Sequence, residues 1–136
     1  MAATIFTKII NREIPAHFIY EDEHCVAILD KFPTVKGQTL VIPKSEVDYA
    51  FDLDDDTYLH LFKTAKKVAK ALDTALDAKR TCLAVEGFEV PHVHIKVYPM
   101  QSTDKSLGEF LAPGDEVSDE ELAVTTTQIQ AALKDE

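Results

Sequence analysis

An alternation of polar and apolar side chains between residues 92 and 98 constrains the fold of this chain more than any other feature. His92, His94 and Lys96 alternate there with β-branched residues. Because successive side chains of a strand point to opposite faces, the pattern predicts a strand with one apolar and one polar face. The polar face carries two imidazoles and an ammonium, each about 7 Å from the next. Histidine acts as nucleophile, acid, base or metal ligand near neutral pH, so this row is either a phosphate site or a solvated face without function.

Length and charge restrict the classes of protein to which the chain can belong. Its 136 residues suffice for one domain with a core. The net charge of -10 repels nucleic acid, so we expect no nucleic-acid partner. No apolar run approaches the ~18 residues of a membrane span, and no signal-peptide pattern opens the chain. The lack of such a run predicts that the protein has no membrane partner. Cys25 and Cys82 are predicted to be reduced core residues, and reduced cysteines predict a cytoplasmic location.

The remaining periodicities predict helices and strands that segregate along the chain. Apolar residues recur at three- and four-residue steps over residues 57–77, which predicts one long helix. Ser118 and Glu121 have the spacing of a capping box and predict the start of a C-terminal helix. This order favours an α+β fold with a mostly antiparallel, five-stranded sheet. The other predicted elements are a short helix at 5–10 and strands at 18–20, 25–29, 39–42, 81–85 and 92–98.

Asp30 is a further candidate site residue, because it follows the apolar strand 25–29 and begins a loop that contains Pro33. A carboxylate at the end of a strand is well placed to bind sugar hydroxyls. It can equally be a turn residue whose side chain accepts hydrogen bonds from nearby amides. The sequence leaves both interpretations open.

Taken together, several segments resemble the histidine triad (HIT) family of nucleotide hydrolases and transferases. The family signature is His-φ-His-φ-His-φ-φ, where φ is apolar, and residues 92–98 follow it except at Lys96. The similarity covers about residues 4–100, the core of a predicted single domain over 1–136 with a C-terminal extension at 101–136. The other matching segments are Ile5–Ile10, Glu13–Ala16, Tyr20–Asp22, Ala27–Asp30, Gly37–Lys44 and Val90–His94.

The resemblance implies a mechanism and a homodimer built by the long helix and its neighbouring strands. The middle histidine, here His94, attacks the α-phosphorus of a nucleoside phosphoramidate or dinucleoside polyphosphate. Water then releases the nucleoside monophosphate from a nucleotidyl-histidine. His92 supports the nucleophile, partly through its main-chain carbonyl. The implied nucleotide-binding residues are Asp30 for the ribose, Phe6, Ile9 and Ile28 for the base, and Gln38 at a position that is often histidine in the family.

Departures from the family pattern concern proton transfer and metal. Lys96 replaces the third histidine; it retains positive charge near the phosphate, but with a reference pKa of about 10.4 it does not readily transfer a proton. Thr4 and Thr7 occupy the positions where the zinc-binding branch has Cys-x-x-Cys. We therefore expect no structural zinc and no cofactor.

Two alternatives to a nucleotide hydrolase follow from the same residues. The first is a nucleotide-binding module with little turnover, because the triad is incomplete at Lys96. The second is a metal enzyme that uses His92 and His94 as ligands, with Cys82 as a third ligand. The expected partners are a purine nucleotide and a second copy of the chain, while the leaving group stays open.

Overall fold

The computed structural model describes residues 3–135, which contain three α-helices and five β-strands. The elements are α1 (Ile5–Ile10), β1 (Phe18–Glu21), β2 (Cys25–Leu29), β3 (Thr39–Pro43), α2 (Asp55–Leu76), β4 (Arg80–Ala84), β5 (Ile95–Met100) and α3 (Asp119–Lys134). The strands form one sheet in the order β1-β2-β3-β5-β4, and every neighbouring pair is antiparallel. The predicted α+β fold with a five-stranded antiparallel sheet is confirmed.

The long helix α2 is defined by its two ends and by one apolar face. Asp54 precedes it and accepts a hydrogen bond from the N–H of Thr57, an amide that has no partner within the helix. Asp77 follows it in the left-handed conformation, with φ of 51°. The predicted helix at 57–77 is therefore of the right type, but α2 begins two residues earlier. Its buried face consists of Leu61, Thr64, Ala65, Val68, Ala71 and Leu72.

The sheet separates two apolar clusters. One face packs against α2 and α3, and there Ala27 and Val41 belong to the larger cluster. The other face packs against α1, whose Phe6 and Ile9 lie with Ile28 in the smaller cluster. Because neighbouring residues of a strand alternate between faces, β2 contributes to both clusters and all of its residues are buried. The residues predicted to bind the base, Phe6, Ile9 and Ile28, lie on the α1 side.

Strand β5 begins only after the two histidines, so the predicted strand at 92–98 is wrong at its start. The segment that holds His92 and His94 lies outside the ladder of the sheet, and the N–H of Val93 donates instead to the carbonyl of Val47 at 2.8 Å. This hydrogen bond attaches the segment to the loop after β3. The two histidines are thereby held at the end of the sheet rather than within its ladder.

The loop between β2 and β3 depends on a glycine. Gly37 has φ of 85°, and a Cβ there would collide with the side chain of Leu76. This close approach to α2 fixes the position of Gln38, the residue after Gly37, and with it the start of β3. The sequence prediction of a loop at this position is correct.

The two cysteines differ in their environment. Cys25 is buried, whereas Cys82 is only half-buried because β4 is an edge strand. The prediction of two core cysteines is therefore wrong for Cys82, although both thiols are free. Within residues 3–135, no helix combines the length and the apolarity that crossing a membrane requires.

Candidate active site

His94 is oriented by the backbone of its neighbouring histidine. Its Nδ1 lies 2.8 Å from the main-chain oxygen of His92. A carbonyl can only accept a hydrogen bond, so Nδ1 carries the proton and Nε2 of the neutral ring carries a lone pair. The ring is only 3% exposed and packs edge-on against Phe6, with 4.9 Å between ring centroids. The arrangement can supply a fixed, unprotonated Nε2 as a nucleophile.

The ring of His92 is held at both nitrogens. Its Nε2 lies 2.9 Å from the carbonyl oxygen of Pro43 and must donate to it. In the neutral ring, Nδ1 then accepts from the hydroxyl of Thr4, also at 2.9 Å. The side chain is fully buried. His92 therefore has no free ring nitrogen and serves to position the carbonyl that His94 uses.

The N-terminal threonines form a hydrogen-bonded network with this histidine. Thr4 caps α1 and forms a reciprocal capping box with Thr7. The hydroxyl of Thr7 donates to Glu46 at 2.7 Å, while that of Thr4 contacts His92. The two positions that hold cysteines in the zinc-binding branch thus connect α1 to His92 through hydroxyl groups.

Lys96 forms a buried ion-pair cluster with two carboxylates. Its Nζ lies 3.2 Å from an oxygen of Glu86 and 3.2 Å from an oxygen of Glu89, while its side chain is only 8% exposed. Burial lowers the pKa of Lys96, but hydrogen bonds to Glu89 and Glu86 outweigh burial and leave the pKa raised. The residue is therefore an ammonium at neutral pH, already engaged with anions. The alternative of a solvated polar face at 92–98 is wrong, because His92, His94 and Lys96 are all buried.

A cavity of about 520 Å³ brings together most of the predicted nucleotide-binding residues. Phe6, Ile9, Ile28 and Asp30 line it, and apolar groups make up most of its wall. The volume and lining are typical of a site for a planar organic ligand with one polar anchor. Residues outside the predicted set also contribute, among them Ile14, Phe32, Leu40, Asp119 and Leu122.

Asp30 is held in place by the loop that follows it. One carboxylate oxygen accepts the N–H of Phe32 at 2.8 Å, and the other accepts the side-chain amide of Gln38 at 3.0 Å. Gln38 in turn accepts the N–H of Thr34 at 2.8 Å. Asp30 thus has the turn role that its position allows, and Gln38 lies behind Asp30 rather than on the cavity wall. The carboxylate retains further lone pairs for a ligand.

A second, smaller cavity of about 140 Å³ has His94 in its wall. Glu86 lines the same cavity, so one carboxylate of the Lys96 cluster and the candidate nucleophile border one space. The other lining side chains are largely aromatic or apolar: Tyr49, Phe51, Tyr58, Phe62, Val85 and Val93.

Burial shifts the pKa values of His94 and Asp30 in opposite directions. Burial lowers the pKa of His94, and the charge of Lys96 lowers it further, against the opposing effect of the hydrogen bond to His92. His94 therefore stays neutral at lower pH than a free histidine. Burial raises the pKa of Asp30, while the N–H of Phe32 and the charge of Lys96 oppose that shift.

One other cluster of potential metal ligands occurs within residues 3–135, on the opposite face of the sheet. Asp22, Cys25 and His60 place one ligand atom each within 4.8 Å of the others. Hydrogen bonds account for this cluster: Asp22 accepts from His60 at 2.7 Å and from the backbone N–H of Cys25 at 3.0 Å. Burial raises the pKa of the Cys25 thiol to about 11, so the thiol stays protonated.

The alternative of a metal site at His92 and His94 has little support in this geometry. Both ring nitrogens of His92 and Nδ1 of His94 are already hydrogen bonded. A metal would find only Nε2 of His94 free, and one imidazole does not make a catalytic metal site.

Sequence reasoning did not identify the partners of Lys96 and His92. Glu86 and Glu89 lie in the loop between β4 and β5, and two acids just before a buried lysine are a usable charge signal. Pro43 contributes a backbone carbonyl, which has no signal in the side-chain pattern. No pattern in the sequence indicates that Asp119 and Leu122, at the start of α3, line the large cavity.

Known proteins share this fold and much of this sequence. Residues 11–103 match the family model of the HIT domain. An uncharacterised HIT-like protein of Methanocaldococcus jannaschii is 38% identical over 110 residues, which cover 78% of this chain and 85% of that protein. The adenosine 5′-monophosphoramidase of Saccharomyces cerevisiae is 35% identical over 108 residues, covering 78% of this chain and 68% of that enzyme.

A solved structure extends the similarity to three dimensions. The crystal structure of a HIT-like protein involved in cell-cycle regulation from Bartonella henselae matches with a TM-score of 0.84, at 29% identity and over 95% of each chain. These matches place the chain in a class of nucleotide-binding hydrolases and transferases. The chain belongs to the HIT family.

Proposed function

We propose that this protein cleaves nucleotides at the α-phosphate, with nucleoside phosphoramidates or dinucleoside polyphosphates as substrates and a nucleotidyl-His94 intermediate. The observation that carries this proposal is the 2.8 Å hydrogen bond between Nδ1 of His94 and the carbonyl of His92. It leaves the lone pair of Nε2 free to attack phosphorus. Covalent catalysis of this kind divides one difficult displacement into two easier ones.

The large apolar cavity supports the assignment of a nucleoside site. A purine base would lie among Phe6, Ile9 and Ile28, and Asp30 would accept hydrogen bonds from the ribose hydroxyls. Because the ring of Phe6 also contacts His94, a base in this cavity keeps the α-phosphate on the side of the nucleophile. The similarity to a yeast adenosine 5′-monophosphoramidase is consistent with an adenosine phosphoramidate substrate.

A panel of adenosine and guanosine phosphoramidates and dinucleoside polyphosphates tests the proposal through product analysis. We expect release of nucleoside monophosphate from at least one member. His94→Ala should abolish turnover while retaining nucleotide binding. His24 is an exposed histidine that lines neither cavity, so His24→Ala should leave turnover unchanged. Equal turnover in the two variants would contradict the assignment of His94.

A nucleotide-binding module with little turnover is the second candidate. The ion pairs of Lys96 favour it, because an ammonium held by two carboxylates is a poor proton donor for a leaving group. Tight nucleotide binding without release of monophosphate from any member of the panel would select this candidate.

We further infer that the chain forms one domain and acts as a homodimer. The packing of α3 against α2 and β1 supports a single domain that includes the C-terminal extension. Strand β4 is an exposed edge, and large apolar side chains cluster beside it, which is unusual for a monomer's free surface. Sedimentation should give twice the mass of 15.2 kDa. The exposed side chains are Leu83 of β4, Val85 and Phe88 of the loop that follows it, and Tyr49 and Phe51, which share a cavity with Val85.

A further inference from the structure

We propose that Glu86 is the general base that activates water when the nucleotidyl-His94 intermediate is hydrolysed, an inference that rests on the proposed function. Glu86 meets two conditions for this role. It lines the same cavity of about 140 Å³ as His94, and its carboxylate is fixed by an ion pair of 3.2 Å with Lys96.

The direction of attack requires a base on this side of the phosphorus. An in-line displacement by Nε2 of His94 expels the leaving group on the side opposite the ring. The water of the second step must then enter from that same side, in line with the bond to Nε2. Because Glu86 and His94 border the same cavity, we place this water in that cavity, beside the Glu86 carboxylate that would accept its proton.

The other ionisable groups near His94 are poorly suited to accept a proton. Lys96 is an ammonium with three donors and no acceptor, and both ring nitrogens of His92 are engaged. Glu89 also binds Lys96 but lies outside the cavity lining and is 58% exposed. Asp48 lines the cavity but is exposed, and it has no ion pair among residues 3–135. Among these groups, only Glu86 combines a fixed carboxylate with access to the cavity.

In the proposed step, the oxygen of water forms a bond to phosphorus while its proton moves to the carboxylate of Glu86. The bond between phosphorus and Nε2 of His94 breaks, and its electron pair returns to Nε2. The nucleoside monophosphate then leaves, and Glu86 releases the proton to solvent. The charge of Lys96 offsets the repulsion between this carboxylate and the phosphoryl oxygens. Lys96 thus contributes by positioning Glu86 rather than by transferring a proton itself.

Single-turnover kinetics on Glu86→Gln tests the proposal, with an adenosine phosphoramidate that the wild-type protein hydrolyses as substrate. We expect the adduct on His94 to form at a rate within about threefold of wild type. Its hydrolysis should slow by at least about 100-fold, the lower end of a general base's contribution. The adduct should therefore accumulate and be visible as an added nucleotidyl mass on the intact protein.

Two comparison variants separate a chemical role from a structural one. Glu89→Gln removes the other carboxylate of the same ion-pair cluster, and we expect it to slow hydrolysis less than tenfold. Asp48→Asn removes the other acid of the cavity and should not accumulate adduct. Equal accumulation in the Glu86 and Glu89 variants, or accumulation in the Asp48 variant alone, would overturn the assignment of Glu86. Failure of the wild-type protein to form any adduct would instead refute the proposed function.

Discussion

Removing both carboxylates that bind Lys96 should destabilise the fold more than removing Lys96 itself. The lysine side chain is 8% exposed, whereas those of Glu86 and Glu89 are 29% and 58% exposed. In Lys96→Met, the two carboxylates lose their counter-charge but can be solvated. In the double variant Glu86→Gln/Glu89→Gln, the ammonium stays buried without an opposite charge.

The expected magnitudes follow from these exposures. An uncompensated charge left by a broken buried pair costs about 3–5 kcal/mol, whereas an exposed pair is worth at most about 1 kcal/mol. The glutamine amides can still accept hydrogen bonds from Nζ of Lys96, so the double variant belongs at the lower end of the first range. We expect losses in the free energy of unfolding of about 3 kcal/mol for the double variant and about 1 kcal/mol for Lys96→Met.

Urea unfolding at pH 7 measures both losses. Because the chain carries a net charge of -10, removing two acids also relieves repulsion. The double variant Glu23→Gln/Glu120→Gln, which removes two exposed acids, provides the matched control for that effect. A larger loss for Lys96→Met than for Glu86→Gln/Glu89→Gln would refute the reasoning from burial.

Three further predictions concern the site. Asp30→Ala should weaken the binding of ribonucleotides by about 1–3 kcal/mol, as measured by calorimetry, and should leave the binding of 2′,3′-dideoxy analogues nearly unchanged. Equal losses of binding for both ligands would contradict the assignment of Asp30 to the ribose. Because burial lowers the pKa of His94, the acid limb of kcat/KM against pH should lie below the ordinary histidine value of about 6.5; a limb at or above 6.5 would contradict this. Thr4→Ala should lower the free energy of unfolding by about 1 kcal/mol through loss of the helix cap, and it should also lower kcat, since His92 loses its hydroxyl partner. Thr4→Ser should restore both the stability and kcat. A serine variant as impaired as the alanine variant would refute the role of the hydroxyl.

The sequence predicted the fold well because its signals are periodic. The apolar stripe of α2 and the alternation near residue 95 report directly which faces are buried. Element ends were less predictable, since His92 and His94 leave the ladder through a backbone hydrogen bond between Val93 and Val47. That bond joins two backbone groups, so the pattern of side chains carries no signal for it.

The sequence proposed residues for the candidate site but not their connections. The resemblance indicated His94 and Asp30, and the charge of Lys96 lowers the pKa of both groups. The partners of Lys96 come from a loop whose conformation no local pattern specifies. The positive charge predicted at Lys96 is therefore held in an ion-pair cluster with Glu86 and Glu89.

The position of a trapped nucleotide tests the central claim most directly. A quenched reaction with an adenosine phosphoramidate, analysed by peptide mapping and by phosphorus–nitrogen NMR correlation on the labelled imidazole, identifies the bonded atom. The geometry predicts an adduct at Nε2 of His94, because Nδ1 donates to the carbonyl of His92. An adduct at Nδ1 of His94, or on any other residue, would contradict the assignment of His94 Nε2 as the nucleophile.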